Sequence, residues 1–278
     1  MMDIPTVGPS MAAIPIPTSR QNLCAFRITA ELDANDLEFI ERVCAHAFDS
    51  FGTIDVLLQF DGIVSMPLVD LPARLKARRF AVIGLDEGLI ETTLHIAEPG
   101  ICTFAAARIK DAWRYVEAEP LVPPHDVTAE EWDTMSLVVV RACLAVDEGG
   151  KVGIAAAVVK HGVVVALDAN EVHLASDPTR HAEIVAISRA GHVLQTADLS
   201  GCTLFSSLQP CEMCLAAMRF AGIDRVVFAA QQHQVPDKYF KFNALTLQDF
   251  MSASPTAFSA RGGVLDHLVL PLYCNGDE

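Results

Sequence analysis

Four residues in the second half of the chain have the types and spacing of a metal site with a proton carrier beside it. His181 and Glu183 stand two apart in Asp177-Pro-Thr-Arg-His-Ala-Glu183, and Cys211 and Cys214 form a CxxC in Pro210-Cys-Glu-Met-Cys214. Two thiolates and one imidazole suit zinc. They leave a fourth tetrahedral position open, which separates a catalytic zinc from a closed structural one. Such an ion lowers the pKa of a water from about 16 to about 7. A carboxylate outside the ligand set can move the proton, and a group in that role contributes about 10²–10⁴-fold in rate. His181, Cys211 and Cys214 are therefore the expected ligands of one Zn2+ per chain, and Glu183 is the expected acid–base group.

Blander readings of the parts fit less well. A lone CxxC is commonly half of a four-ligand structural zinc or a redox pair. No second CxxC or paired-His motif is present to complete the former, and the latter has no need of His181 and Glu183.

These residues need elements that present them. The segment 178–194 has helical spacing with Pro178 expected in its first turn, and 210–221 reads as a helix following a strand at 203–206. Along a long helix His181 and Glu183 would diverge by about 200°, so both must sit at a helix start to address one ion. A helix N-terminus also lowers a thiol pKa, which suits Cys211 and Cys214. Upstream, Thr128-Ala-Glu-Glu131 has capping-box spacing and predicts a helix over 128–146. The apolar runs 154–159 and 163–167, split by Lys160-His-Gly162, predict a hairpin, and 226–230 a further strand.

Residues from about 130 to 230 resemble the cytidine-deaminase-like superfamily, in the branch holding guanine deaminases and tRNA adenosine deaminases. The stretches DPTRHAEIVAISRA and LQPCEMCLAAMRFAGIDRVVFAA carry the likeness. It implies a three-layer α/β/α domain, a hydrolase acting on cyclic amidine C–N bonds, ammonia release by zinc-activated water, and a homodimer. It also implies that Asn170 orients the substrate, its amide offering a donor and an acceptor to a base edge; the alternative is a turn residue. Two departures stand out. Gln209 occupies a place often held by Glu in this branch, and the segment after Ala230 does not follow the tRNA enzymes. Asp237, Tyr239, Phe240 and Phe242 in that segment are candidates for contacting a base, with a core role open for the two phenylalanines. His161, His173, His192 and His233 have no motif context and read as surface or packing residues.

The substrate expected from the resemblance is a free nucleobase or similar small aminated heterocycle, guanine first and cytosine next. The alternatives are adenosine editing in tRNA and a non-catalytic zinc scaffold. A net charge of −15, without a Lys/Arg stripe, makes nucleic acid a poor partner.

Glu119-Pro-Leu-Val-Pro-Pro-His125 divides the chain, since three prolines block helix and central strand alike. The expected organisation is a loose leader over 1–22, an α/β domain over 23–118, a linker over 119–126 and the deaminase-like domain over 127–278. In the first domain, 27–32 reads as a strand, 35–51 as a helix closed by Gly52, 54–60 and 79–83 as strands, and 107–117 as a helix. ITAELDANDLEFIERV, GTIDVLLQFDGI, RRFAVIGLDEG and FAAARIKDAWRYVEA resemble SpoIIAA-like, STAS-related domains. That resemblance implies an interaction module with a protein or apolar-ligand partner. Eight cysteines, mostly scattered, fit a reducing cytoplasm, and no apolar run reaches the ~20 residues of a membrane span.

Overall fold

The computed structural model describes residues 12–61, 71–84, 101–148 and 152–274. They form two compact units, within Pro9–Pro124 and His125–Glu278. No helix among them is long and apolar enough to cross a membrane.

The first unit is a five-stranded sheet in the order β1 (Ala13–Pro15), β2 (Leu23–Ile28), β3 (Ile54–Phe60), β4 (Ala77–Ile83), β5 (Ile101–Phe104), parallel except for β1. Helix α1 (Ala34–Phe51) starts at Asp33, whose carboxylate takes the N–H groups of Asn35 and Asp36 at 2.8 and 2.9 Å. It ends at Gly52, whose φ of 71° is one that glycine adopts without strain. Its apolar face, Ile40 and Cys44, packs on Phe26, Val56, Leu58 and Phe80. After the short helix α2 (Leu71–Arg74), α3 (Ile109–Tyr115) buries Trp113 on the other face, against Leu23, Ala25 and Leu57. Asp55, with no exposed side-chain surface, receives Arg20 at 2.8 Å, Arg78 at 2.8 and 3.0 Å and Arg79 at 3.0 Å.

Three expectations change here. Residues 13–15 of the expected loose leader are a strand on the edge of β2, and buried Asp36 accepts the Ala12 N–H at 2.9 Å. An unpaired sheet edge is a ready template, and these three residues pair with its Phe26–Ile28 half; residues 1–11 lie outside the described chain. The strand expected at 27–32 lies at Leu23–Ile28, buried except for Arg27. A strand covered on both faces shows no alternation, so the periodic signal misplaced it. The helix expected over 107–117 begins as a 3₁₀ turn at Ala106–Arg108 before α3.

The second unit is a three-layer α/β/α arrangement. Its sheet runs β10 (Ser259–Arg261), β9 (Arg225–Ala230), β8 (Cys202–Leu208), β6 (Ala155–Lys160), β7 (Val163–Ala169). β8, β9 and β10 are parallel, while β6 is antiparallel to both its neighbours. His161 and Gly162, with φ of 51° and 76°, make the tight β6–β7 turn. That turn accounts for His161. Helix α4 (Ala129–Asp147) has the expected reciprocal cap, Thr128 and Glu131 each holding the other's N–H at 3.1 Å. After the single turn α5 (Val172–Ala175) come α6 (Ala182–Leu194), α7 (Glu212–Phe220), α8 (Leu247–Ala253) and α9 (Asp266–Cys274). Helices α4 and α9 pack on one face of the sheet. Helices α6 and α7 cover the other, through Ala182, Ala186, Leu215 and Met218 against Val158, Leu204 and Phe228.

Candidate active site

The site is built where α6 and α7 begin, beside the ends of β7 and β8. Helix α6 begins at Ala182, four residues later than the proline suggested. Asp177, Pro178, Thr179 and Arg180 form a turn instead, Arg180 N–H reaching Asp177 O at 3.2 Å, with Pro178 second. Asp177 Oδ1 also takes the Thr179 N–H and hydroxyl at 2.9 and 2.7 Å. A smaller displacement, of two residues, occurs at α7, which starts at Glu212 after Pro210. His181 and Cys211 are thereby the N-cap residues, with extended backbone and no capping bond from their side chains. A cap usually turns its side chain back onto its own helix. These two turn theirs toward each other.

Cys211 Sγ lies 3.5 Å from His181 Nδ1 and 3.5 Å from Cys214 Sγ, and Cys214 Sγ lies 3.7 Å from His181 Nδ1. Zinc with ligands at about 2.3 Å (S) and 2.0–2.1 Å (N) gives tetrahedron edges of about 3.8 Å between sulfurs and about 3.5 Å from sulfur to nitrogen. The three atoms fit that ion. They are the metal-competent His/Cys/Asp/Glu group found among the described residues.

Glu183, one residue into α6, is 3% exposed. Ser206 Oγ donates to its Oε1 at 3.1 Å, and Cys214 Sγ lies 3.4 Å from its Oε2. Burial, with the neighbouring Cys211 charge, pushes the Glu183 carboxyl up. The Cys211 thiol is held down to about 4, chiefly by the hydrogen bond from the Cys214 thiol, with desolvation opposing and His181 assisting. Hydrogen bonding to Cys211 raises His181 against its own burial, and Cys214 correspondingly keeps its proton.

A cavity of about 580 Å³ opens over these residues. Asn170 lines it, at the end of β7, together with His181, Glu183 and Cys211. Its Oδ1 takes the Val172 N–H at 3.0 Å, a side-chain turn bond that sets the amide orientation at the cavity wall and gives Asn170 the turn role as well. Of the aromatic candidates Tyr239 and Phe242 line the wall, and Phe242 is 60% exposed. The structure does not bring Asp237 or Phe240 there. Asp237 is exposed at the start of a 3₁₀ turn, and Phe240 is packed to 5% exposure in the core. The resemblance points to the segment and leaves a core role open for its phenylalanines; Phe240 takes that role, and Phe242 stands at the cavity.

Residues that the sequence reading passed over also build the site. Glu212 lines the cavity and its Oε1 takes the Phe242 N–H at 3.0 Å, tying that segment to the start of α7. His173 is exposed, as expected of a surface or packing residue, and its exposed side borders the cavity. Gln209 exchanges bonds with Gln232, accepting its N–H at 3.2 Å and donating to its side chain at 3.4 Å. Its amide holds the turn that leads to Tyr239 and Phe242. Glu171 gathers Arg180 Nε at 2.8 Å and Arg189 at 2.6 Å, and its own N–H reaches Arg180 O at 3.0 Å. Glu171 therefore locks the residue after Asn170 to the residue before His181.

Comparison with known proteins agrees with this geometry. Residues 129–230 match the family model described as "Cytidine and deoxycytidylate deaminase zinc-binding region". A tRNA-specific adenosine deaminase of Aquifex aeolicus (strain VF5) is 39% identical over 93 residues, 34% of this chain and 62% of that protein. A guanine deaminase of Bacillus subtilis (strain 168) is 37% identical over 102 residues, 37% of this chain and 65% of that protein. Another tRNA-specific adenosine deaminase, of Agrobacterium fabrum, is 40% identical over 103 residues, 37% of this chain and 67% of that protein. The chain thus spans slightly less than two thirds of the first two relatives. With the match to the zinc-binding region and the His/Cys/Cys group inside it, the chain belongs to the zinc-dependent cytidine and deoxycytidylate deaminase family.

Proposed function

We propose that the protein is a hydrolytic deaminase of a free nucleobase or a similar small aminated heterocycle, guanine first and cytosine next. The observation that carries this reading is the convergence of His181, Cys211 and Cys214, with buried Glu183 beside them, at a cavity that His181, Glu183 and Cys211 line. Zinc held by the three ligands supplies a Lewis acid that makes water nucleophilic at neutral pH.

Glu183 takes one proton from the attacking water and delivers it to the ring nitrogen, then takes the remaining hydroxyl proton of the adduct and delivers it to the departing amine. Water adds at the amino-bearing carbon, the C–N bond breaks, and the products are the oxo base and ammonia. Burial of Glu183 beside the three ligands suits this, because it shields the carboxylate from bulk solvent while keeping it within reach of the cavity. Asn170 presents its Nδ2 donor to a ring carbonyl, which guanine and cytosine carry and adenine lacks. Tyr239 and Phe242 offer ring faces for stacking.

Adenosine deamination in a tRNA is the second reading, favoured by the identity to two such enzymes. The net charge of −15 and the donor set by Asn170 weigh against it. A homodimer, and the unit within Pro9–Pro124 acting as an interaction module, belong to the same proposal.

The test is ammonia release by zinc-loaded protein from guanine, cytosine, adenine, their nucleosides and a tRNA, with Glu183→Ala as blank. Turnover of one free base supports the reading. Turnover of tRNA alone, with strong salt dependence, replaces it by the second reading. Bound zinc with silence across the panel leaves a zinc scaffold.

A further inference from the structure

Strand β8 carries two adjacent serines into the site, and they face opposite layers. Ser207 Oγ accepts Ala155 N–H at 3.0 Å and the Tyr273 hydroxyl at 2.7 Å, on the side of α9. Ser206 points the other way, toward α6, and donates to Glu183 Oε1 at 3.1 Å. Both serines are completely buried.

The neighbours of Ser206 across the sheet are Ala156 on β6 and Phe228 on β9, both apolar and buried. In such a place a hydroxyl costs free energy unless it is hydrogen-bonded, and a β-branched apolar residue suits a central strand at least as well. The hydroxyl is therefore explained by its bond to the carboxylate. A second observation gives that bond a role. Glu183 has two side-chain neighbours within bonding distance, Ser206 at Oε1 and Cys214 at Oε2. A thiol bound to zinc is a thiolate, which donates nothing. Ser206 is then the side-chain donor that remains to hold Glu183.

We infer that Ser206 is a positioning residue for the proton carrier: its O–H holds Oε1 against β8 and so leaves Oε2 as the oxygen that exchanges protons in the cavity. This rests on the assignment of Glu183 as that carrier. Ser206 is not among the residues that line the cavity and its hydroxyl is spent on Glu183, so its effect passes through the orientation of that carboxylate.

The experiment compares the wild type, Ser206→Ala and Ser206→Thr as zinc-loaded full-length proteins. Ammonia release, zinc content and Tm are measured, together with crystal structures of the wild type and the alanine variant. Ser206→Ala is expected to keep one zinc per chain and a KM within about twofold, while kcat falls about 10–100-fold, the range for losing a hydrogen bond to a charged group. Ser206→Thr, which retains the hydroxyl, should recover most of kcat. In the crystal structures Glu183 should leave its wild-type rotamer in the alanine variant. An unmoved Glu183, or an alanine variant with wild-type kcat, overturns the inference. Failure of Ser206→Thr to recover kcat while its zinc content and Tm stay normal also overturns it. A displaced Glu183 in a protein whose wild type releases no ammonia sustains the positioning role and removes the deaminase reading instead.

Discussion

His181 Nδ1 and Cys211 Sγ lie 3.5 Å apart across 30 residues of sequence because each is the N-cap of its own helix, and neither caps it. The two helix starts face one point, and their partial positive charge favours the thiolate there.

Replacement of a single sulfur should therefore be enough to empty the site. Cys211→Ser or Cys214→Ser is expected to lower zinc content well below one per chain, read by elemental analysis of protein purified without added metal. Unchanged stoichiometry in both variants would remove these thiolates from the ligand set.

Glu183 makes a different prediction, since it is outside the ligand set and buried beside it. Glu183→Ala should keep its zinc and lose turnover by about 10²–10⁴-fold or more, the contribution of a positioned acid–base group. Steady-state rates on the best substrate of the panel measure this, and near-normal kcat would assign the proton transfer elsewhere.

Glu171 holds Arg180 and Arg189 and so fixes the chain entering His181. Glu171→Ala is expected to weaken zinc retention about 10–100-fold in competition with a chelator, the usual effect of losing a group that orients a ligand. Retention equal to wild type would reduce this ion-pair group to a surface feature.

The first unit has its own titration. Burial tends to raise the Asp55 carboxyl, but the hydrogen bonds from Arg78, Arg79 and Arg20 outweigh it and hold the group far below its ordinary value of 3.8. A folded pKa below the unfolded one contributes stability above the unfolded value, and that contribution is lost as pH falls toward the folded one. Asp55→Asn should thus lower stability by about 2–4 kcal/mol at neutral pH, somewhat under the range for a fully buried pair because Arg78 is half exposed. Below about pH 4 the gap between wild type and variant should narrow in thermal unfolding followed from pH 7 to 2. A gap that widens on acidification would show that the arginines do not stabilise the ionised form.

Much of the deaminase-like unit was legible in the sequence because its signals are local. The Thr128–Glu131 cap, the hairpin about His161-Gly162 and the helix starts after Pro178 and Pro210 depend on a few neighbouring residues, and each helix start was off by two to four positions. The strand Ala13–Pro15 was missed because three residues carry no period, and β2 was shifted because burial on both faces erases alternation.

The sequence by itself determined the chemistry: the types His181, Glu183, Cys211 and Cys214, their spacing, and hence a three-ligand site with a carboxylate beside it. Only the tertiary structure decided which side chains serve it. Ser206 rather than Ser207 reaches Glu183, Phe242 rather than Phe240 lines the cavity, and Asn170 stands in the cavity wall with its Oδ1 tied to the Val172 N–H. The reason is geometric. Spacing along a chain defines which residues share a helix or strand, but the face an element buries is set by what packs against it.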